Sequence, residues 1–121
     1  MTTKLESPQP VDREKLLAEC DDEQSYANRC LHIFVRDVQV DMDGIAAALD
    51  RSDSAQIVRL AHRIKGASAS IKAEFLRRRS ARLEVLGDKA ELAAAGECFA
   101  RLQTEFERFK KYIATLPFFP D

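Results

Sequence analysis

One stretch near the middle of the chain places a histidine, a lysine and a glycine within little more than one turn of a predicted helix. These residues are His62, Lys65 and Gly66. Side chains three and four positions apart are neighbours on a helix, so a cation and a patch of bare backbone would flank the imidazole. A glycine inside a helix lowers its stability by about 1 kcal/mol relative to alanine, so a glycine at position 66 indicates a packing or access requirement. Close approach of another group to His62 would be such a requirement. The pattern predicts a site that holds a phosphoryl group on a histidine.

The predicted orientation of this helix supports that interpretation. At about 100° per residue, the apolar positions of the segment share one face, and His62 lies on the other side, in contact with water. Without its neighbours, a histidine on a polar helix face would be an ordinary solvated residue. His32 has no Lys-Gly pair after it and is interpreted in that way. The predicted core-facing stripe consists of Ile57, Leu60, Ala61, Ile64, Ser68 and Ile71.

The composition limits the class of protein. A chain of 121 residues with 45% hydrophobic residues, 32% charged residues and only four glycines predicts one helical domain with one core. Its net charge of -1 provides no basic field for nucleic acid. Cys20, Cys30 and Cys98 lack the spacing of zinc ligands and are interpreted as small core residues. Since no segment resembles a signal peptide or a membrane span, we expect a cytoplasmic protein.

The pattern of apolar residues and breaks divides the chain into three parts. We predict a flexible leader over residues 1–10, a helical domain over 11–116 and a tail over 117–121. Phe118 and Phe119 in this tail are expected to fold back over the end of the domain, or else to dock a partner.

Within the domain, four long helices with short connections predict an all-α antiparallel four-helix bundle, preceded by a short extra helix. Gly87 is predicted to stop the fourth helix and Asp88 to cap the fifth. The predicted helices run from a cap at Asp12 to Glu19, from about Glu23 to Leu49, from the turn at 51–54 to about Ser70, from Ala73 to Gly87, and from Asp88 to a point before Pro117.

The chain resembles the histidine phosphotransfer (HPt) domains of bacterial and fungal two-component phosphorelays, from about Asp12 to Leu116. The resemblance implies a four-helix bundle whose histidine accepts a phosphoryl group from a receiver-domain aspartate and passes it to another receiver. The residues that carry it, at the offsets that the family uses, are Ala61-His62-x-Ile64-Lys65-Gly66-x-Ser68, then Ile71-x-Ala73, Leu76 and Leu83-Glu84.

The resemblance also implies roles for single residues. His62 is the phosphoacceptor, Lys65 neutralises the phosphoryl oxygens, and Gly66 leaves space for the active site of the receiver. Ser68 gives secondary polar support, and Glu84 fixes the tautomer of His62. The residues expected to dock the partner are Ala55, Val58, Arg59, Arg63 and Ala69.

The partners implied are response-regulator receiver domains, a hybrid sensor histidine kinase, or both. The chain has no phosphate-cradling glycine loop and no nucleotide-binding motif, so we expect a phosphoryl carrier without kinase activity of its own. No cofactor is expected on this chain, and Mg²⁺ is expected on the receiver domain. We expect a monomer that binds neither nucleic acid nor membranes.

Two positions depart from the family pattern. Lys72 stands where the family usually has glycine, and lysine tolerates a left-handed backbone poorly, so we expect a rebuilt turn or a longer helix. Arg79 stands where the family often has an apolar residue, so the arginine is expected to snorkel or its helix to rotate slightly. Two other functions stay open: a helical adaptor that binds receiver or kinase domains without transfer, and, less favoured, a metal or haem bundle using His32 and His62.

Overall fold

The structure is a bundle of four long helices with one short helix in front of it. The computed structural model describes residues 9–116, which contain helices and turns and no strand. The predicted all-α bundle with a short N-terminal helix is therefore confirmed. The helices are α1 (Arg13–Glu19), α2 (Gln24–Asp50), α3 (Ser54–Ser70), α4 (Glu74–Asp88) and α5 (Leu92–Ile113).

Each long helix turns one apolar stripe towards a common core. Phe34 of α2 meets Phe109 of α5 edge to face at 5.1 Å between ring centroids, and Phe106 lies parallel to Phe109 at 6.4 Å. Such aromatic contacts add to the stabilisation from buried area. The stripe predicted for α3, which orients His62, is buried at every position: Ile57, Leu60, Ala61, Ile64, Ser68 and Ile71.

The turns after α2, α3 and α4 share one geometry. Each places a left-handed residue after the helix, namely Ser52, Lys72 and Ala90, with φ values of 56°, 64° and 56°. The N–H of the next residue donates to the carbonyl five positions back, as in the 2.9 Å bond from Ala73 to Ser68. That residue is also the N-cap of the following helix. This is a Schellman turn. The expectation of a rebuilt turn or a longer helix at Lys72 is wrong, because α3 ends at Ser70 and these hydrogen bonds hold the lysine in the left-handed conformation.

The predicted boundary between the last two helices is also wrong. α4 continues through Gly87 to Asp88, and the residue that caps α5 is Glu91. Gly87 is buried, and a Cβ atom there would lie 3.1 Å from methyl carbons of both Ile57 and Val58. Its lack of a side chain therefore serves the close approach of α3 and α4 and not the end of a helix.

The segment before α1 is joined to the bundle. Val11 is fully buried, and the Asp12 N–H donates a 2.9 Å hydrogen bond to the Lys72 carbonyl. The Asp12 side chain caps α1, as predicted, by accepting from the Lys15 N–H at 3.1 Å. Pro10 is already buried, so ordered packing begins just before residue 11. Residues 1–8 of the predicted leader and the tail with Phe118 and Phe119 lie outside the described residues.

The three cysteines form no disulfide, and one of them contacts the backbone of Arg79. All three cysteines are free thiols, with Cys20 and Cys98 buried and Cys30 half-buried. The Cys98 thiol donates to the Arg79 carbonyl at 3.5 Å, and the side chain of Arg79 is half-buried. The bundle thus accommodates an arginine at a position where the family often has an apolar residue.

Candidate functional site

His62 lies near the middle of α3 and faces away from the core. The helix begins at a side-chain cap in which Asp53 accepts a 3.1 Å hydrogen bond from the Gln56 N–H. From there the apolar stripe fixes the rotation of the helix, and the His62 side chain remains 64% exposed. The exposure predicted from the spacing is confirmed, and the imidazole is within reach of another protein.

A carboxylate on the neighbouring helix holds both the imidazole and the lysine. Glu84 of α4 places Oε2 3.0 Å from His62 Nδ1 and Oε1 2.7 Å from Lys65 Nζ. Its side chain is only 23% exposed, whereas that of Lys65 is 33% exposed. The close approach of α3 and α4 at Gly87, one turn from Glu84, brings the carboxylate level with the histidine. The structure thus brings His62, Lys65 and Glu84 together, as the resemblance implies.

The ionisation of Glu84 determines which ring nitrogen of His62 carries a proton. The hydrogen bond from the Lys65 ammonium lowers the pKa of Glu84, the bond from His62 adds to this, and partial burial works against both. An ionised carboxylate can only accept hydrogen bonds. The Nδ1 atom of His62 must therefore donate to Glu84, and the neutral ring then carries its lone pair on Nε2.

Gly66 and Ser68 differ in their relation to the site. Gly66 is exposed one turn after His62, and a Cβ atom at this position would meet nothing within 4 Å. Packing against the bundle therefore does not require glycine here. Ser68 is fully buried on the core side of α3, and its hydroxyl has no hydrogen-bond partner among residues 9–116. The polar support expected from Ser68 is thus wrong, because this side chain points away from the imidazole.

The surface around His62 is formed by small residues and two arginines. Ala55 and Ala69 lie two turns before and after the histidine and are exposed, and Val58 is half-buried between α3 and α4. Arg59 stays on this face and donates a hydrogen bond to Gln56. Arg63 instead turns to α2, where its guanidinium lies 3.1 Å from the carboxylate of Asp41.

Two residues of α2 that are not among the predicted site residues are Asp41, which contacts Arg63, and the exposed Val40 next to it in the chain. Asp41, which anchors Arg63, is only 6% exposed, and burial raises its pKa while the Arg63 charge opposes this. Val40 is 63% exposed, one turn before Gly44, where α2 approaches Leu60 of α3. A signal existed for Val40, since it is apolar but lies outside the core-facing stripe of its helix. Asp41 had no such signal, because its partner is on another helix.

The two histidines occupy different helices. His32 is on the exposed side of α2, and His62 is on α3. Within residues 9–116 there is no group of three or more His, Cys, Asp or Glu side chains that could hold a metal ion.

The fold and the site together define a four-helix bundle that exposes a histidine hydrogen-bonded to a carboxylate of the neighbouring helix. A family model of the Hpt domain matches residues 29–112, and the chain therefore belongs to the Hpt family. Members of this family are phosphocarriers and not kinases, and membership gives the protein a histidine phosphotransfer role in two-component signalling. Hpt proteins interact with receiver domains and kinases in phosphorelays.

A solved structure has the same fold. It is the crystal structure of histidine-containing phosphotransfer protein B (HptB) from Pseudomonas aeruginosa PAO1, with a TM-score of 0.81 and 24% sequence identity. The match covers 88% of this chain and 92% of that chain. A comparison with curated proteins gave no match. None of the helices between residues 9 and 116 is long and apolar enough to span a membrane.

Proposed function

We propose that this protein carries a phosphoryl group on His62 between two receiver domains. The Nε2 lone pair attacks the phosphorus of an aspartyl phosphate on the first receiver. The bond to the aspartate oxygen breaks, and its electron pair stays on that oxygen. In the second transfer an aspartate oxygen of the other receiver bonds to phosphorus, the P–N bond breaks, and its electron pair returns to Nε2. The observation that carries this proposal is the hydrogen bond from Nδ1 to Glu84, which leaves the Nε2 lone pair on a largely exposed ring.

Phosphoryl transfer requires mainly positioning and stabilisation of negative charge, so a small bundle can act as one half of the reaction. Lys65 is one turn from His62, and we propose that its ammonium binds the phosphoryl oxygens. Mg²⁺ and the remaining catalytic groups would come from the receiver domain. The carrier then needs no cofactor of its own.

The partner would dock on the face of α3 that carries His62. The exposed residues on this face are small, so another protein can approach closely; they are Ala55, Gly66 and Ala69. Val40 of α2 would add an exposed apolar contact. Val58, Arg59 and Arg63 would line its edges. We propose a small, transient interface between a receiver and a monomer of this protein, in the cytoplasm.

The test is transfer from a phosphorylated receiver to purified protein. Wild type and the His32→Gln control should acquire acid-labile, alkali-stable phosphate, whereas His62→Gln should acquire none. The exposure of His62 means that its replacement should leave the melting temperature unchanged, which circular dichroism checks. Label on His62→Gln would reject the site. Receiver binding without label on wild type would favour the non-transferring adaptor.

A further inference from the structure

We propose that Glu84 controls how readily phospho-His62 gives up its phosphoryl group, by keeping a proton on Nδ1 while the group is bound to Nε2. This rests on the proposed function, because it concerns the same histidine after it has been phosphorylated. With Glu84 present, the protein would then transfer its phosphoryl group at higher pH than it would without this carboxylate.

The first step concerns the proton. When Nε2 forms its bond to phosphorus, the Nδ1 proton stays on the ring, because the Glu84 carboxylate accepts it at 3.0 Å. The product is a positively charged phosphoimidazolium. In onward transfer an aspartate oxygen of the next receiver bonds to phosphorus, the P–N bond breaks, and its electron pair returns to Nε2. The leaving group is then a neutral imidazole.

The alternative form of the ring is a poor donor. If Nδ1 loses its proton, the ring must leave as an imidazolate anion unless another proton arrives. A carboxylate beside Nδ1 disfavours this form, because the lone pair of a deprotonated Nδ1 would face a negative oxygen. A glutamine side chain at position 84 would lack this preference. Its carbonyl oxygen could accept a hydrogen bond from Nδ1–H, but its NH₂ group could equally donate one to a deprotonated Nδ1.

The second step concerns Lys65. Its ammonium is 2.7 Å from Glu84 Oε1, so the carboxylate and the phosphoryl oxygens would compete for one cation. Glu84 also places a negative charge near the phosphoryl group. Both effects weaken the binding of the phosphoryl group to the protein. They therefore favour its release, as the retained proton does.

Other charges near the ring do not replace Glu84. On α3, Arg59 is hydrogen-bonded to Gln56, and Arg63 is held by Asp41 of α2. On α4, Asp88 is one turn beyond Glu84 and is exposed. Of the described carboxylates, Glu84 is the one that contacts the imidazole. Asp88→Asn therefore removes a carboxylate from the same helix without touching the ring.

The experiment phosphorylates wild type, Glu84→Gln and Asp88→Asn with phosphoramidate, a small donor that requires no receiver. Loss of phosphohistidine is then followed by ³¹P NMR between pH 6 and 9. Above neutral pH, Glu84→Gln should lose phosphate about fivefold more slowly than wild type, the factor expected when a hydrogen bond to an ionised group becomes one between neutral groups. Towards pH 6 the difference should close, and Asp88→Asn should follow wild type throughout.

A second measurement separates this role from a merely structural one. In ¹⁵N-labelled phosphorylated protein, the Nδ1–H signal of His62 should persist to higher pH in wild type than in Glu84→Gln. Equal rates in the two proteins across the whole pH range, or equal Nδ1–H titrations, would overturn the role of Glu84 and leave the carrier function standing. Absence of phosphate on wild-type His62 from phosphoramidate and from a phosphorylated receiver alike would overturn both.

Discussion

Gly66→Ala should make the protein more stable and a poorer phosphoryl acceptor. Gly66 lies inside α3, and a methyl group there would meet nothing within 4 Å. Alanine is favoured over glycine in a helix interior by about 1 kcal/mol. For a domain of this size, that gain raises the melting temperature by about 4 °C. The same methyl group would stand one turn from His62 on the face that we assign to the receiver. If it holds the receiver back by about 1 Å, transfer should slow on the order of a hundredfold.

Gly96→Ala is the matched control. Gly96 is inside α5, and a Cβ atom there also meets nothing within 4 Å. It should gain similar stability and accept phosphate at the wild-type rate. The two variants and wild type are compared by thermal melts and by the initial rate of transfer from one phosphorylated receiver. A Gly66→Ala variant that gains stability and still accepts phosphate at the wild-type rate would refute the access role of this glycine.

Two further predictions concern the fold. Ala90→Gly should stabilise the protein by about 0.5 kcal/mol, because Ala90 has a left-handed backbone with φ 56°. The control Ala100→Gly, inside α5, should destabilise it by about 1 kcal/mol. Urea unfolding measures both free energies, and equal effects would contradict the turn geometry. The hydrogen bonds from Arg77 and Arg78 lower the pKa of Glu74 from 4.5 to about 2, so its contribution to stability should be present above pH 4.5 and disappear as the pH falls towards 2. Because Glu74 is half-exposed, Glu74→Gln should lower the free energy of unfolding by less than about 1 kcal/mol at neutral pH. If this loss of stability persists at pH 2, the linkage is refuted.

Local periodicity was enough to place His62. Its exposure depends on the rotation of one helix, and five apolar residues together with Ser68, within α3 and at its end, fix that rotation. The turns were harder to predict, because the usual signal is a glycine and the left-handed positions here are Ser52, Lys72 and Ala90. Hydrogen bonds within each turn, such as the one from the Ala73 N–H to the Ser68 carbonyl, hold these residues in that conformation, and the sequence pattern does not display them. The glycine near the end of α4 misled the prediction because its role is contact with another helix.

The residue that hydrogen-bonds to His62 could not be derived from the local sequence pattern. Glu84 is 22 residues further along the chain, and only the family resemblance pointed to it. Its position follows from the tight turn at Lys72 and from the missing side chain of Gly87, which together set the register of α4 against α3. A shift of α4 by one residue would rotate Glu84 by about 100° and take it away from the imidazole. The site is therefore a property of how two helices pack.

That dependence explains how a bundle without a closed active site can direct chemistry. One side of the His62 ring is exposed to solvent, while its Nδ1 atom is hydrogen-bonded to Glu84 from within the fold. The same carboxylate holds Lys65, so the arrival of a phosphoryl group at Nε2 would bring a second acceptor for that ammonium. The two hydrogen bonds of Glu84 thus couple the protonation of the ring to the position of the cation. Under the proposed function, this coupling would let the protein bind the phosphoryl group well enough to accept it and weakly enough to pass it on.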